Sequence, residues 1–127
     1  MRTRSGLEAR TVTYLKKLKV DFRYEKLKIP WRDNRSKTYT PDFELPNGII
    51  IETKGRFTAA DRFKHLSVKE QHPEYDIRFV FSNPQAKLSK GAKSTYAQWC
   101  ERHGFLYAKE TIPLEWIKEK RKGRTDV

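Results

Sequence analysis

The chain of 127 residues has one cysteine, Cys100, so no intrachain disulfide can form and a reducing cytoplasm is the expected setting. No apolar run approaches the ~18 residues of a spanning helix, and the first helical stretch does not pair a basic face with a Trp/Phe-rich one. A membrane protein is therefore not expected. MRTRSGLEAR lacks an apolar h-region, and no secretory signal is expected either. Repeats and low-complexity tracts are missing, and Gly and Pro are spread as punctuation. One domain over 1–117 with a basic tail over 118–127 is the expected organisation. Acidic residues are also scarce: 16 Asp and Glu stand against 28 Lys and Arg, for a net charge of +12. Such an imbalance favours a polyanion, nucleic acid before a membrane surface, because phosphate contacts release counterions. Apolar residues make up only 36% and charged ones 35%, so much of the surface must be ionic.

What is present reads as alternating helices and strands. Leu7, Tyr14, Leu15 and Leu18 keep helical spacing behind an S-x-x-E capping box, Ser5 to Glu8. VDFRYEKLKIP alternates in strand fashion but slips phase between Tyr24 and Leu27, which predicts a bulge or bend near Glu25. WRDNRSK reads as a basic loop, and strands follow over 38–45 and 49–54. Thr58 opens a second helix ending before Pro73, with Ala60, Phe63 and Leu66 as its apolar stripe. DIRFVFS is dense enough to be a central strand covered on both faces. Thr95 to Gln98 starts a third helix, closed by Gly104; FLYA is a short strand and TIPLEWIKEK a short helix. The expected order is α-β-β-β-α-β-α-β, an α/β (α+β) fold in which helices flank a mixed sheet.

The stretch TYTPDFELPNGIIIETKGRF places charges inside strand-like runs. Glu52 and Lys54, two apart, share a strand face. A two-residue Asn47-Gly48 turn would pair 42 with 53 and put Asp42 on the other face. A three-residue loop, Pro46-Asn47-Gly48, pairs 42 with 52, and the turn chemistry favours it, since Pro suits the first corner and Gly the left-handed position. Asp42 and Glu52 then sit directly across the strands, with Lys54 opposite Thr40. Like charges so placed require something positive between them. Lys54 supplies part of it, and a hard divalent cation such as Mg²⁺ supplies it better, leaving the ammonium to serve a water or a phosphate. A solvent-facing ionic cluster on the sheet is the bland alternative.

Pro41-Asp42 followed by Glu52-Thr53-Lys54 resembles the PD-(D/E)xK nuclease motif, on the restriction-endonuclease-like core order. The runs RSGLE, YTPDFELPNGIIIETKG, KHLSVKEQHPE, DIRFVFS and IPLEWIKE resemble, in order and over nearly the whole chain, the phage endonuclease I family of Holliday-junction-resolving enzymes (the phage T-seven type). The resemblance implies a metal-dependent endodeoxyribonuclease selective for four-way junctions and other branched DNA, leaving 5′-phosphates and acting as a homodimer that exchanges early strands. It implies Asp42, Glu52 and the Thr53 backbone carbonyl as ligands of one or two Mg²⁺ (or Mn²⁺). Lys54 would serve the attacking water, and Glu8 would complete the acidic site as a further candidate ligand. Family members carry a longer basic arm, whereas only MRT precedes Arg4 here. The alternatives are a PD-(D/E)xK nuclease for another DNA substrate, restriction-type or nick- and end-processing, and a non-catalytic module that binds branched DNA.

DNA-backbone contacts are expected from Arg2, Arg4, Ser5, Arg32, Arg35, Lys37, Arg56, Arg62, Lys64, Lys87, Lys90 and Lys93, which suits recognition by shape. His65, His72 and His103 lack metal-ligand spacing and are read as helix-surface or helix-end residues. Trp31, Trp99 and Trp116 are read as core or interface anchors, and Cys100 as a buried thiol.

Overall fold

Helix starts fall where the capping residues stand. The computed structural model describes residues 5–121. Helix α1 covers Gly6–Lys17, with the Ser5 hydroxyl accepting from the Glu8 N–H. Helices α2 (Ala59–Gln71) and α3 (Tyr96–His103) each open with a complete capping box, Thr58 with Asp61 and Thr95 with Gln98, and Gly104 ends α3 at φ 76°. The short α4 (Leu114–Lys118) follows Pro113. At α1 only the serine half of the predicted box forms. The Glu8 carboxylate instead accepts from the Tyr24 hydroxyl at 2.5 Å.

Among the described residues five strands make the main sheet: β1 (Arg23–Tyr24), β4 (Phe43–Glu44), β5 (Ile50–Lys54), β6 (Ile77–Phe81) and β7 (Tyr107–Lys109), side by side in the order β1-β4-β5-β6-β7. The β1–β4 and β4–β5 pairings are antiparallel, and β5–β6 and β6–β7 are parallel, so the sheet is mixed as expected. The element order differs from the expected one, because five strands precede α2. The predicted strand 38–45 breaks at Pro41, which has no N–H to give a ladder. Its first half pairs elsewhere, as β3 (Ser36–Tyr39) against β2 (Ile29–Arg32) in a separate antiparallel ribbon. The phase slip at Glu25 is the point where the chain leaves one sheet for the other, through a left-handed φ of 50°. WRDNRSK is accordingly the tip and flanks of that ribbon, with only residues 33–35 outside its strands.

Every residue of β6 is buried, as its density foretold. Ile50, Phe79 and Phe81 pack with Phe57, Val68, Trp99 and Phe105 on the face covered by α2, α3 and the ribbon. Ile51 and Val80 pack with Leu15, Phe43, Ile112 and Trp116 on the face covered by α1 and α4. Each large apolar side chain so buried contributes roughly 1.5–3 kcal/mol. All three tryptophans are inside, and burial pushes the Cys100 thiol up to about 12, which makes it inert near neutral pH.

Of the expected stripe on α2, Leu66 packs against the core and Ala60 is exposed. Phe63 is 55% exposed, while His65 and Val68 face the core. His65 is therefore not a surface histidine. It stands among the rings of Tyr39, Phe57, Phe79 and Phe105, where burial drives its pKa well below the usual value and the neutral imidazole packs as an aromatic.

At the opposite end of the sheet the buried Arg78 holds Asp76 at 2.8 Å and Glu119 at 2.6 and 3.0 Å, with its guanidinium over Trp116. The Asn47 amide donates to the Trp116 and Glu119 carbonyls at 2.8 and 3.0 Å. The end of α4 thus grips the β4–β5 turn. Residues 122–127 of the expected tail, with Arg2 and Arg4, lie outside the described residues.

Candidate active site

The β4–β5 turn decides which charges meet. Leu45 N–H donates to the Ile49 carbonyl at 2.8 Å and Gly48 N–H to the Leu45 carbonyl at 2.9 Å, with Gly48 at φ 89°, a conformation that favours glycine. Phe43 pairs with Ile51 and Glu44 with Ile50, which extends to 42 across from 52. The loop is the three-residue one, and Asp42 and Glu52 are neighbours. Thr40 is not opposite Lys54, because β4 begins only at Phe43; its hydroxyl accepts from Lys28 at 3.1 Å.

Each carboxylate has one oxygen tied down. Asp42 Oδ2 accepts from Thr53 N–H at 2.9 Å and from the Thr53 hydroxyl at 2.8 Å. Glu52 Oε1 accepts from the Tyr39 hydroxyl at 2.9 Å and from Asp42 N–H at 3.3 Å. Glu52 Oε2 lies 3.7 Å from Lys54 Nζ, which also reaches Asp61 Oδ1 at 3.3 Å. Both acids are buried, 5% and 4% exposed, and burial is the main reason that their pKa values rise, Asp42 to about 6 and Glu52 to about 8. The neighbouring negative charges push the same way, that of Glu8 on Asp42 and that of Asp42 on Glu52. Lys54, divided between Glu52 and Asp61, offsets them only in part. The cluster is short of positive charge, and the donor set, all hard oxygen, fits a divalent cation of the Mg²⁺ type.

Glu8 is brought to this cluster by the first turn of α1. Carboxylate oxygens of Glu8, Glu25 and Asp42 lie within 4.8 Å of one another, a grouping able to hold a metal ion. Glu25 was not foreseen as a member. Its one sequence signal was the phase slip, which the left-handed backbone there explains, and its N–H donates to the Asp42 carbonyl at 3.0 Å. A cleft of about 350 Å³ opens on these groups, lined by Glu8, Asp42, Glu52, Thr53, Lys54 and Lys64 among others. A roomier cavity of about 440 Å³ beside Pro73, Tyr75 and Leu106 contains none of these acids.

The basic residues expected at DNA divide by what they touch. Lys64 lines the cleft, with its ammonium over the Tyr39 ring at 5.2 Å. Arg32, Arg35 and Lys37 stand on the ribbon, Lys37 paired with Asp33 at 2.7 Å and lying over Trp31. Arg56, Lys87, Lys90 and Lys93 are exposed. Arg62 turns inward instead, its guanidinium donating to the Phe57 carbonyl at 2.6 Å, and Ser5 is occupied as the cap of α1. His72 bonds the Pro30 carbonyl and His103 lies against Trp99, both away from the acids.

The family model described as phage endonuclease I matches residues 1–125. Over 120 residues the chain is 51% identical to "Endonuclease I" of Escherichia phage T7, covering 94% of this chain and 80% of that protein. It is 50% identical over 120 residues to "Endodeoxyribonuclease 1" of Enterobacteria phage T3, covering 94% and 79%.

Proposed function

This chain belongs to the phage endonuclease I family, and on that premise we propose that it is a divalent-metal-dependent endodeoxyribonuclease that resolves four-way junctions and other branched DNA. The observation that carries the reading is the register of the β4–β5 hairpin, which brings Asp42 against Glu52 with Lys54 3.7 Å away. On this reading Pro41-Asp42 and Glu52-Thr53-Lys54 are the PD-(D/E)xK element of the sheet.

Asp42, Glu52, Glu8 and the newly placed Glu25 would hold the cation. The Thr53 carbonyl would join them, since it leaves its strand on the same edge as the N–H that reaches Asp42. A divalent cation held there, Mg²⁺ or Mn²⁺, would supply positive charge for a phosphodiester oxygen and would lower the pKa of a water. The residues do the rest. Lys54, held by Asp61, orients the attacking water or meets charge growing on the phosphate. The water oxygen gives up a proton as it bonds to phosphorus, the P–O3′ bond breaks, and the 3′-oxygen takes up a proton from solvent, giving 5′-phosphate and 3′-hydroxyl ends. Lys64 beside the cleft and the ribbon cations hold the backbone on either side.

Two cuts in a two-fold junction suit a homodimer. The β2–β3 ribbon, outside the main sheet, is the early element that an exchange between subunits would move. No helix among the described residues is long and apolar enough to cross a membrane, and the host cytoplasm is the setting proposed.

Incubation with Mg²⁺ and equimolar four-way junction and matched linear duplex tests the substrate. The junction is expected to be cut at least about 100-fold faster, as a coupling of nearly 3 kcal/mol to branched shape would give. Equal rates on the duplex would sink the selectivity, and binding of the junction without cutting would leave only a binding module.

A further inference from the structure

Tyr39 belongs to the β2–β3 ribbon, not to the sheet that carries the acids, yet its hydroxyl reaches across to Glu52 Oε1 at 2.9 Å. The side chain is 2% exposed and its position is fixed on several sides. The His65 ring meets it edge-on at 5.0 Å and 84°, the Lys64 ammonium covers its face, and its backbone pairs with Ile29. The other donor to the same oxygen, Asp42 N–H, is longer at 3.3 Å. A carboxylate has two equivalent oxygens, and the phenol makes the shorter of the two contacts that single out Oε1. With Oε1 held, Oε2 is the oxygen presented toward Lys54.

We propose that Tyr39 is a positioning residue, whose hydroxyl fixes the Glu52 carboxylate so that Oε2 faces the cation and substrate. This rests on the reading of Glu52 as a metal ligand. A hydrogen bond from an outer group to a ligating carboxylate is worth about 10- to 100-fold in metal affinity or activity. The basis lies in orientation: the phenol holds Oε1, which leaves Oε2 on the side of Lys54. A buried hydroxyl also seeks any acceptor, and the test must separate that purely structural role from positioning.

Tyr39→Phe keeps the ring, its packing and its contact with His65. Mn²⁺ binding to the wild type and to Tyr39→Phe is measured by calorimetry, alongside junction cleavage with kcat and KM resolved. The expected result is Mn²⁺ affinity weakened about tenfold and kcat lowered by about 10- to 100-fold, with KM for the junction within about twofold. In a Glu52→Gln background the same substitution changes Mn²⁺ affinity by less than about twofold, because the two residues act through one contact. Unchanged affinity and kcat in Tyr39→Phe, whatever happens to its melting temperature, overturn the proposal. So do full effects that persist in the Glu52→Gln background. Wild-type protein that binds no Mn²⁺ overturns the metal-site reading beneath it, and the wild-type arm keeps the two failures apart.

Discussion

Glu52→Gln is expected to make the metal-free protein more stable at pH 8 while leaving it unable to cut DNA. The Glu52 pKa stands at about 8 in the folded protein, raised mainly by burial and then by Asp42, against an ordinary glutamate value near 4.5. A group whose folded pKa lies above its unfolded one favours folding below the unfolded value. That contribution is lost as pH climbs through the folded pKa. Between about pH 4.5 and 8 the wild type is therefore progressively destabilised at this site, and glutamine, which does not titrate, escapes it. Allowing for coupling to Asp42, the gain at pH 8 is about 2 kcal/mol, or roughly 5–10 °C in Tm for a domain of this size. Thermal unfolding in EDTA at pH 8 and again at pH 4 checks it, and the difference should vanish at the lower pH. Cleavage should fall by about 10³-fold or more if Glu52 holds the cation as proposed, since a neutral amide would stand in for the carboxylate charge that anchors several kcal/mol of stabilisation. A variant both less stable at pH 8 and still active would mean that Glu52 is a structural acid.

Lys54→Met should separate binding from chemistry. The ammonium is shared between Glu52 at 3.7 Å and Asp61 at 3.3 Å, and the two contacts orient it. A positioned group that moves or holds a proton contributes about 10²–10⁴ in rate. Cleavage should drop by that factor. Mn²⁺ affinity should stay the same or tighten, because removing the positive charge beside the acidic cluster makes the site more negative. Loss of affinity together with rate would show Lys54 to be a scaffold for the acids.

Local chemistry made parts of this site legible. Pro46-Asn47-Gly48 could be read as a three-residue loop because Pro and Gly each favour one corner of it. Strand alternation then placed Glu52 and Lys54. The caps at Ser5, Thr58 and Thr95 and the buried β6 were likewise local signals. The errors arose where partners are distant in sequence. Pro41 ends a ladder, but which sheet the preceding residues join depends on Ile29, Trp31 and Tyr39 finding a separate core contact. Phe63 looked like the core residue of α2 by type alone. The cage of aromatics from four other segments, which accepts a neutral His65 instead, leaves no periodic trace. Glu25 and Tyr39 reach the acids only after the chain changes sheets, so spacing to Asp42 could not reveal them.

Single-turnover cleavage of a four-way junction by wild type and Asp42→Asn, in Mg²⁺ and in EDTA, tests the site most directly, with junction binding measured in parallel. Wild type should cut in Mg²⁺ only, and Asp42→Asn in neither condition while binding the junction at wild-type affinity. Cutting by wild type in EDTA, or by Asp42→Asn in Mg²⁺ at a rate within about tenfold of wild type, would contradict the assignment of the buried carboxylates as the metal-dependent centre.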